Sequence, residues 1–188
     1  YNSLILNSGY KSEYQDHPGH TQILFISIWL SILKLLSLIK FSGLDELMQS
    51  TNLLSNFNDI VLAARFSNLI ILFSYIFLIF KILKNISPNY KLIYFFLLFF
   101  VLSNGIINSV SIIRTEFISS LFIFFTLFFM IKLVSSSSSL RKNIFLLGVC
   151  FTLSIFSKFQ SLVVFVFLPF FVLTMFEKKI TKYKLMDF

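Results

Sequence analysis

Apolar runs of bilayer length, separated by short polar breaks, dominate this sequence and limit what it can become. A helix needs about 20 apolar residues, or roughly 17–25, to cross a hydrocarbon core. Only helices and closed barrels satisfy their backbone polar groups there. The chain is 57% hydrophobic and only 13% charged, with a mean hydropathy of +0.87. Soluble domains carry about 25% charged residues, so this composition belongs with membrane proteins. The expected fold class is all-α, a polytopic transmembrane helical bundle with an external loop carrying juxtamembrane helices.

The clearest expected spans are 61–80, 92–108, 117–133, 144–157 and 159–176. The first is entered through Arg65. Residues 144–176 form one stretch too long for a single upright helix. Ser157, Lys158, Phe159 and Gln160 interrupt it, so it divides there into a tight helical hairpin. Segment 22–40 is apolar enough to span but carries Lys34 inside it, with Ser27, Ser31 and Ser37. Charge decides how it is read. With residues 1–60 on one side, the loops at 81–91, 132–143 and 177–184 share the opposite side, and their lysines and Arg141 obey the positive-inside rule. Six of the eight acids (Glu13, Asp16, Asp45, Glu46, Asp59 and Glu116) then lie outside. The expected organisation is a 1–60 external loop with interfacial helices, 22–40 among them, and a 61–188 transmembrane helical region. Residues 44–58, which alternate acids, amides and leucines, read as short amphipathic surface helices. The run Ser135 to Ser139 reads as a cytoplasmic linker.

The same rule disposes of one function class. A net charge of +8 would ordinarily raise nucleic-acid binding, but basic cytoplasmic loops account for it, and no nucleic-acid partner is expected. The single cysteine, Cys150, sits in an apolar run and builds no disulfide framework. Walker and Rossmann glycine patterns, metal-spaced His or Cys clusters and His-Glu-x-x-His are all missing from the sequence. No metal site is therefore assigned, although a divalent ion could join the carboxylates. The chain opens on Tyr1 and stops just after a basic loop, which reads as a piece of a longer protein.

Three polar positions fall on the expected outer face. Asp16-His17-Pro18-Gly19 sets a carboxylate beside an imidazole, a pairing suited to acid–base work or to holding a metal. The same residues also describe an ordinary turn ahead of a helix. Asn104, Asn108, Ser111 and Thr115 recur at helical spacing, and Arg114 and Glu116 stand at the head of the next span. An interfacial Arg–Glu anchor with amides between helices is the plainer account. Lys158, with Gln160, breaks the hairpin on the outer side, where the positive-inside rule does not explain a lysine. It suits an anionic headgroup or pyrophosphate-like group, or it simply snorkels. Arg65 is similar.

In order and sidedness these features resemble the glycosyltransferase-C superfamily of polytopic enzymes, which includes protein O-mannosyltransferases and lipid A aminoarabinose transferases. Asp16-His17-Pro18-Gly19 resembles that family's His-Pro-Pro-type motif opening a juxtamembrane helix. Ala64-Arg65-Phe66 resembles its Arg-entered span, Arg114-Thr115-Glu116 its acid-opened span, and Ser157-Lys158 its Thr/Ser-Lys pair. The resemblance implies an integral, multi-pass protein of a bacterial inner membrane. It implies transfer of a sugar from a polyprenyl-phosphate carrier to a glycan, lipid or protein acceptor on the external face. Asp16, His17 and Glu116 would serve the reaction centre, and Lys158, Arg65 and Arg114 the carrier phosphate. The family's principal catalytic acid would lie upstream of Tyr1. A transporter or lipid-linked sugar flippase, with the same residues lining a path, is the rival reading.

Overall fold

The computed structural model describes residues 1–11, 19–135 and 140–184. All regular structure among them is helical, in the order α1 (Asn2–Asn7), α2 (His20–Leu35), α3 (Leu44–Met48), α4 (Leu53–Ile86), α5 (Tyr90–Leu102), α6 (Asn104–Ser111), α7 (Thr115–Ser135), α8 (Leu140–Ser157) and α9 (Ser161–Lys184). Three of these helices (α4, α7 and α8) are long and apolar enough to cross a membrane. The number is four if α5 and α6, bent by 53° at Ser103, count as one span. The all-α architecture is compatible with a membrane protein.

Several boundaries differ from the expected ones. The span read as 61–80 lies within a helix of 34 residues, Leu53–Ile86. That helix is about 51 Å long at 1.5 Å per residue. Its first turns absorb residues 53–58, which the sequence placed in short surface helices. The span read as 92–108 is broken, because the Ser103 hydroxyl caps a new helix by accepting from the Ile106 backbone N–H. The hairpin break falls where Ser157–Gln160 placed it, and the Phe151 and Phe165 rings meet across it at 4.5 Å.

Helix α2 has 16 residues and so spans only about 24 Å, short of the roughly 30 Å hydrocarbon core. Its stop is local chemistry. The Leu38 N–H reaches back to the Leu33 carbonyl and the Ser37 N–H to that of Lys34, with Ser37 at φ 56°. This is a Schellman cap with serine in the left-handed position that glycine favours. It ends the helix although Leu36, Leu38 and Ile39 are apolar. Helix α1 ends the same way, with Gly9 at φ 81°.

Two cores share α4. Its middle and end (Ile71, Tyr75, Leu78, Ile82) pack with Ile93 and Leu97 of α5, Phe117, Ile118 and Ile131 of α7, and Phe165 and Leu168 of α9. Its first turns (Ile60, Ala63, Ala64) instead meet Leu4, Ile26, Leu30, Leu33 and Leu47 of α1–α3. Asn7 staples this smaller core. Its amide donates to the carbonyls of Ser27 at 3.2 Å and Ser42 at 2.9 Å, and its Oδ1 accepts from the Ser27 hydroxyl. The Trp29 indole N–H donates to the Ala63 carbonyl at 2.9 Å, fixing α2 along α4.

Helix α8 shows an inverted pattern. Its buried residues are Asn143, Cys150, Ser154 and Ser157, while Phe145 and Phe156 are exposed. Small polar contacts inside and large apolar groups outside suit a helix whose surroundings are themselves apolar.

Candidate functional site

Helices α7 and α8 pack closely because their facing residues are small. Ser119 and Ser154 are buried against each other, with hydroxyls 3.2 Å apart, and each also bonds the other's carbonyl. Three to four residues on, Lys158 Nζ lies 2.6 Å from Glu116 Oε1. Residue pairs 119/154 and 116/158 move in opposite directions along the chain, so the helices run antiparallel. The start of α7 and the end of α8 therefore share one end of the bundle. Thr21 at the start of α2 joins them, its hydroxyl donating to the Leu153 carbonyl at 3.1 Å.

Glu116 sits in the first turn of α7, where a carboxylate also complements the positive end of the helix. Thr115 Oγ1 lies 3.4 Å from its second oxygen. A cavity of about 360 Å³ opens beside Glu116, with Tyr75, Ser103, Ser109 and Ser120 among its lining residues. The Lys158 ammonium has three donors, of which Glu116 takes one. The first amides of α9 give it little anion-binding capacity. Those of Ser161, Leu162 and Val163 are already turned onto the carbonyls of Lys158, Phe159 and Gln160. Lys158 is the charged group at this turn able to meet an anion, with the exposed Gln160 side chain beside it.

The expected site residues meet different outcomes. Glu116 and Lys158, 42 positions apart, form an ion pair. Lys158 is thus partnered rather than a lone outer-face lysine. Arg65 and Arg114 are exposed, and neither forms an ion pair among the described residues. Asp16 and His17 lie outside the described residues; their neighbour Gly19 is buried at the head of α2. The polar face expected from Asn104 to Thr115 does not exist as one stripe. Helix α6 ends at Ser111, and Thr115 belongs to α7. No three His, Cys, Asp or Glu side chains among the described residues gather as a metal site.

One important residue was not legible in the sequence. Asn68 on α4 is only 1% exposed, and its amide faces the carbonyls of Ser109, Val110 and Ile112 at 3.1–3.3 Å. It holds the connection that presents Arg114, Thr115 and Glu116. An asparagine in an otherwise apolar span is the signal that could have found it. Thr21, Ser119 and Ser154 carry the same weak signal. No family model, curated protein or solved structure matches the chain.

Proposed function

We propose that this protein is a multi-pass membrane glycosyltransferase that moves a sugar from a polyprenyl-phosphate carrier to an acceptor at the external face. The observation carrying the reading is the Lys158–Glu116 pair, at the end of the bundle where α2 also begins. In this reading Lys158 offsets charge on the departing lipid phosphate, and Arg65 or Arg114 assists. Glu116 keeps the ammonium aimed until the phosphate arrives, and it borders the cavity that receives acceptor or sugar hydroxyls. Asp16 and His17, just ahead of α2, orient those hydroxyls. The bacterial inner membrane, with residues 1–60 outside, is the proposed setting. The test is transfer of radiolabelled sugar from polyprenyl-phosphate donors by the full-length gene product in membranes. Label reaching an acceptor supports the reading, and silence across a panel of carrier sugars would sink it.

The 53° break between α5 and α6 favours one alternative, because broken spans recur in transporters. Substrate-dependent flux in proteoliposomes, without group transfer, would select a transporter or flippase instead.

A further inference from the structure

A cavity of about 600 Å³ lies between the second half of α2, the α2–α3 connection and the first turns of α4. It has a polar end and an apolar end. Asn56 and Asp59 line its start along α4, and Leu62 and Phe66 its continuation, with Trp29 of α2 opposite. At 1.5 Å per residue, about 15 Å separates Asn56 from Phe66. Leu62 and Phe66 are exposed, so the apolar end is open to whatever surrounds α4. Lys40 lines the polar end. Lys40 and Asn56 also border a second, polar cavity of about 610 Å³, so the two adjoin. The other charged groups of that second cavity, Lys34 and Glu46, are already an ion pair. Lys40 and Asp59 are not. Neither forms an ion pair or hydrogen bond with any described residue, and they do not pair with each other.

Two solvated surface charges need no ligand by themselves. These two differ because they stand together at the mouth of one apolar slot, and their opposite signs select what enters it. The slot takes a hydrocarbon chain. An anionic head would face Asp59, a cationic head would face Lys40, and an uncharged head would use neither. A head carrying a phosphate and a primary ammonium answers both. The phosphate accepts from Lys40 and the ammonium donates to Asp59, two charge-assisted hydrogen bonds. We infer that this groove binds phosphatidylethanolamine from the surrounding bilayer, with one acyl chain along α4 toward Phe66 and the headgroup between Lys40 and Asp59. The inference rests on the membrane reading of the chain and not on sugar transfer, and its test contains no sugar carrier.

The purified protein, delipidated in detergent, is titrated with phosphatidylethanolamine, phosphatidylcholine and phosphatidylglycerol of matched chains, and bound lipid is read by native mass spectrometry. Phosphatidylethanolamine should bind about tenfold more tightly than phosphatidylcholine, whose quaternary ammonium donates no hydrogen bond to Asp59. It should also bind more tightly than phosphatidylglycerol, whose net negative charge meets the same carboxylate. Lys40→Gln should weaken phosphatidylethanolamine binding about tenfold, as expected for one lost hydrogen bond to a charged group. Asp59→Asn should bring phosphatidylglycerol level with phosphatidylethanolamine, because only the Lys40 charge then remains. Both side chains lack partners in the fold, so both variants should keep helicity and Trp29 emission. A diazirine in the acyl chain of phosphatidylethanolamine should label the peptide containing Leu62 and Phe66. Label spread over α5 and α9, equal affinity for the three lipids, or an unchanged lipid preference in folded Lys40→Gln and Asp59→Asn would each overturn the inference.

Discussion

Lys158 and Asn68 show how differently one side chain can act. Lys158 is partly exposed and tied to Glu116, and an exposed ion pair contributes only about 0–1 kcal/mol to folding. Lys158→Ala should therefore hardly change abundance. If the lysine meets the carrier phosphate, the variant should lose about 1.5–3 kcal/mol of carrier use, the range for a hydrogen bond to a charged group. Lys158→Arg should keep part of that, because charge survives while the compact ammonium geometry does not. Kinetics with a polyprenyl-phosphate sugar in membranes read both. Full activity in the alanine variant would move the phosphate site to Arg65 or Arg114. Asn68 should behave in the opposite way. Asn68→Leu removes the donor facing three carbonyls and should cost about 1–3 kcal/mol of stability. Denaturant unfolding in detergent measures this, and an unchanged midpoint would mean that the connection holds itself.

Among the elements, α2 and α3 are joined by a charge that can be titrated. Lys34 in the last turn of α2 forms an ion pair with Glu46 of α3, whose second oxygen accepts from the Ser42 N–H at 3.3 Å. The hydrogen bond from Lys34 holds the Glu46 carboxyl below its usual value. A depressed carboxylate stabilises the fold fully above its unfolded pKa, about 4.3, and that contribution disappears as pH falls through the lower folded value. The tie is thus intact at neutral pH and fails only in acid. Both side chains are well exposed, so its worth is at most about 1 kcal/mol. Trp29, the only tryptophan, sits on α2 and reports the loss. Thermal unfolding followed by its emission should lose stability below pH 4 by more in the native chain than in Glu46→Gln. Parallel pH profiles would show that the pair contributes nothing.

At the scale of the whole molecule, the proposed topology can be tested residue by residue. Acids accompany the lysines ahead of α4 and Glu116 opens α7, whereas Lys81, Lys84 and Lys91 around the α4–α5 connection have no acid near them in the sequence. With Cys150 replaced by alanine, cysteines at Lys11 and Ser50 should react with an impermeant thiol reagent from outside. One at Ser87 should react only after permeabilisation. Opposite sidedness of Lys11 and Ser50 would make α2 a true span, bridging the bilayer despite its length of about 24 Å.

Fold class was legible in the sequence because it follows from bulk chemistry. Apolar runs in a chain with few charges must satisfy their backbone internally, and helices do so without help from distant residues. The break at Ser157–Gln160 was legible for the same local reason. Ser37 and Ser103 were harder, because a serine that ends or starts a helix looks like one that decorates it. The site depended on neighbours that the sequence does not name. Glu116 and Lys158 each stood out as costly charges near an apolar run, but their pairing belongs to the packing of α7 on α8, where Ser119 and Ser154 also meet. Asn68 looked like one more polar residue in a long span until three carbonyls 41 to 44 positions away surrounded it. Local composition fixed which segments are helical. Tertiary packing alone decided which polar groups meet, since a hydrogen bond or ion pair needs its partner within about 3 Å and the order of residues sets no such distance.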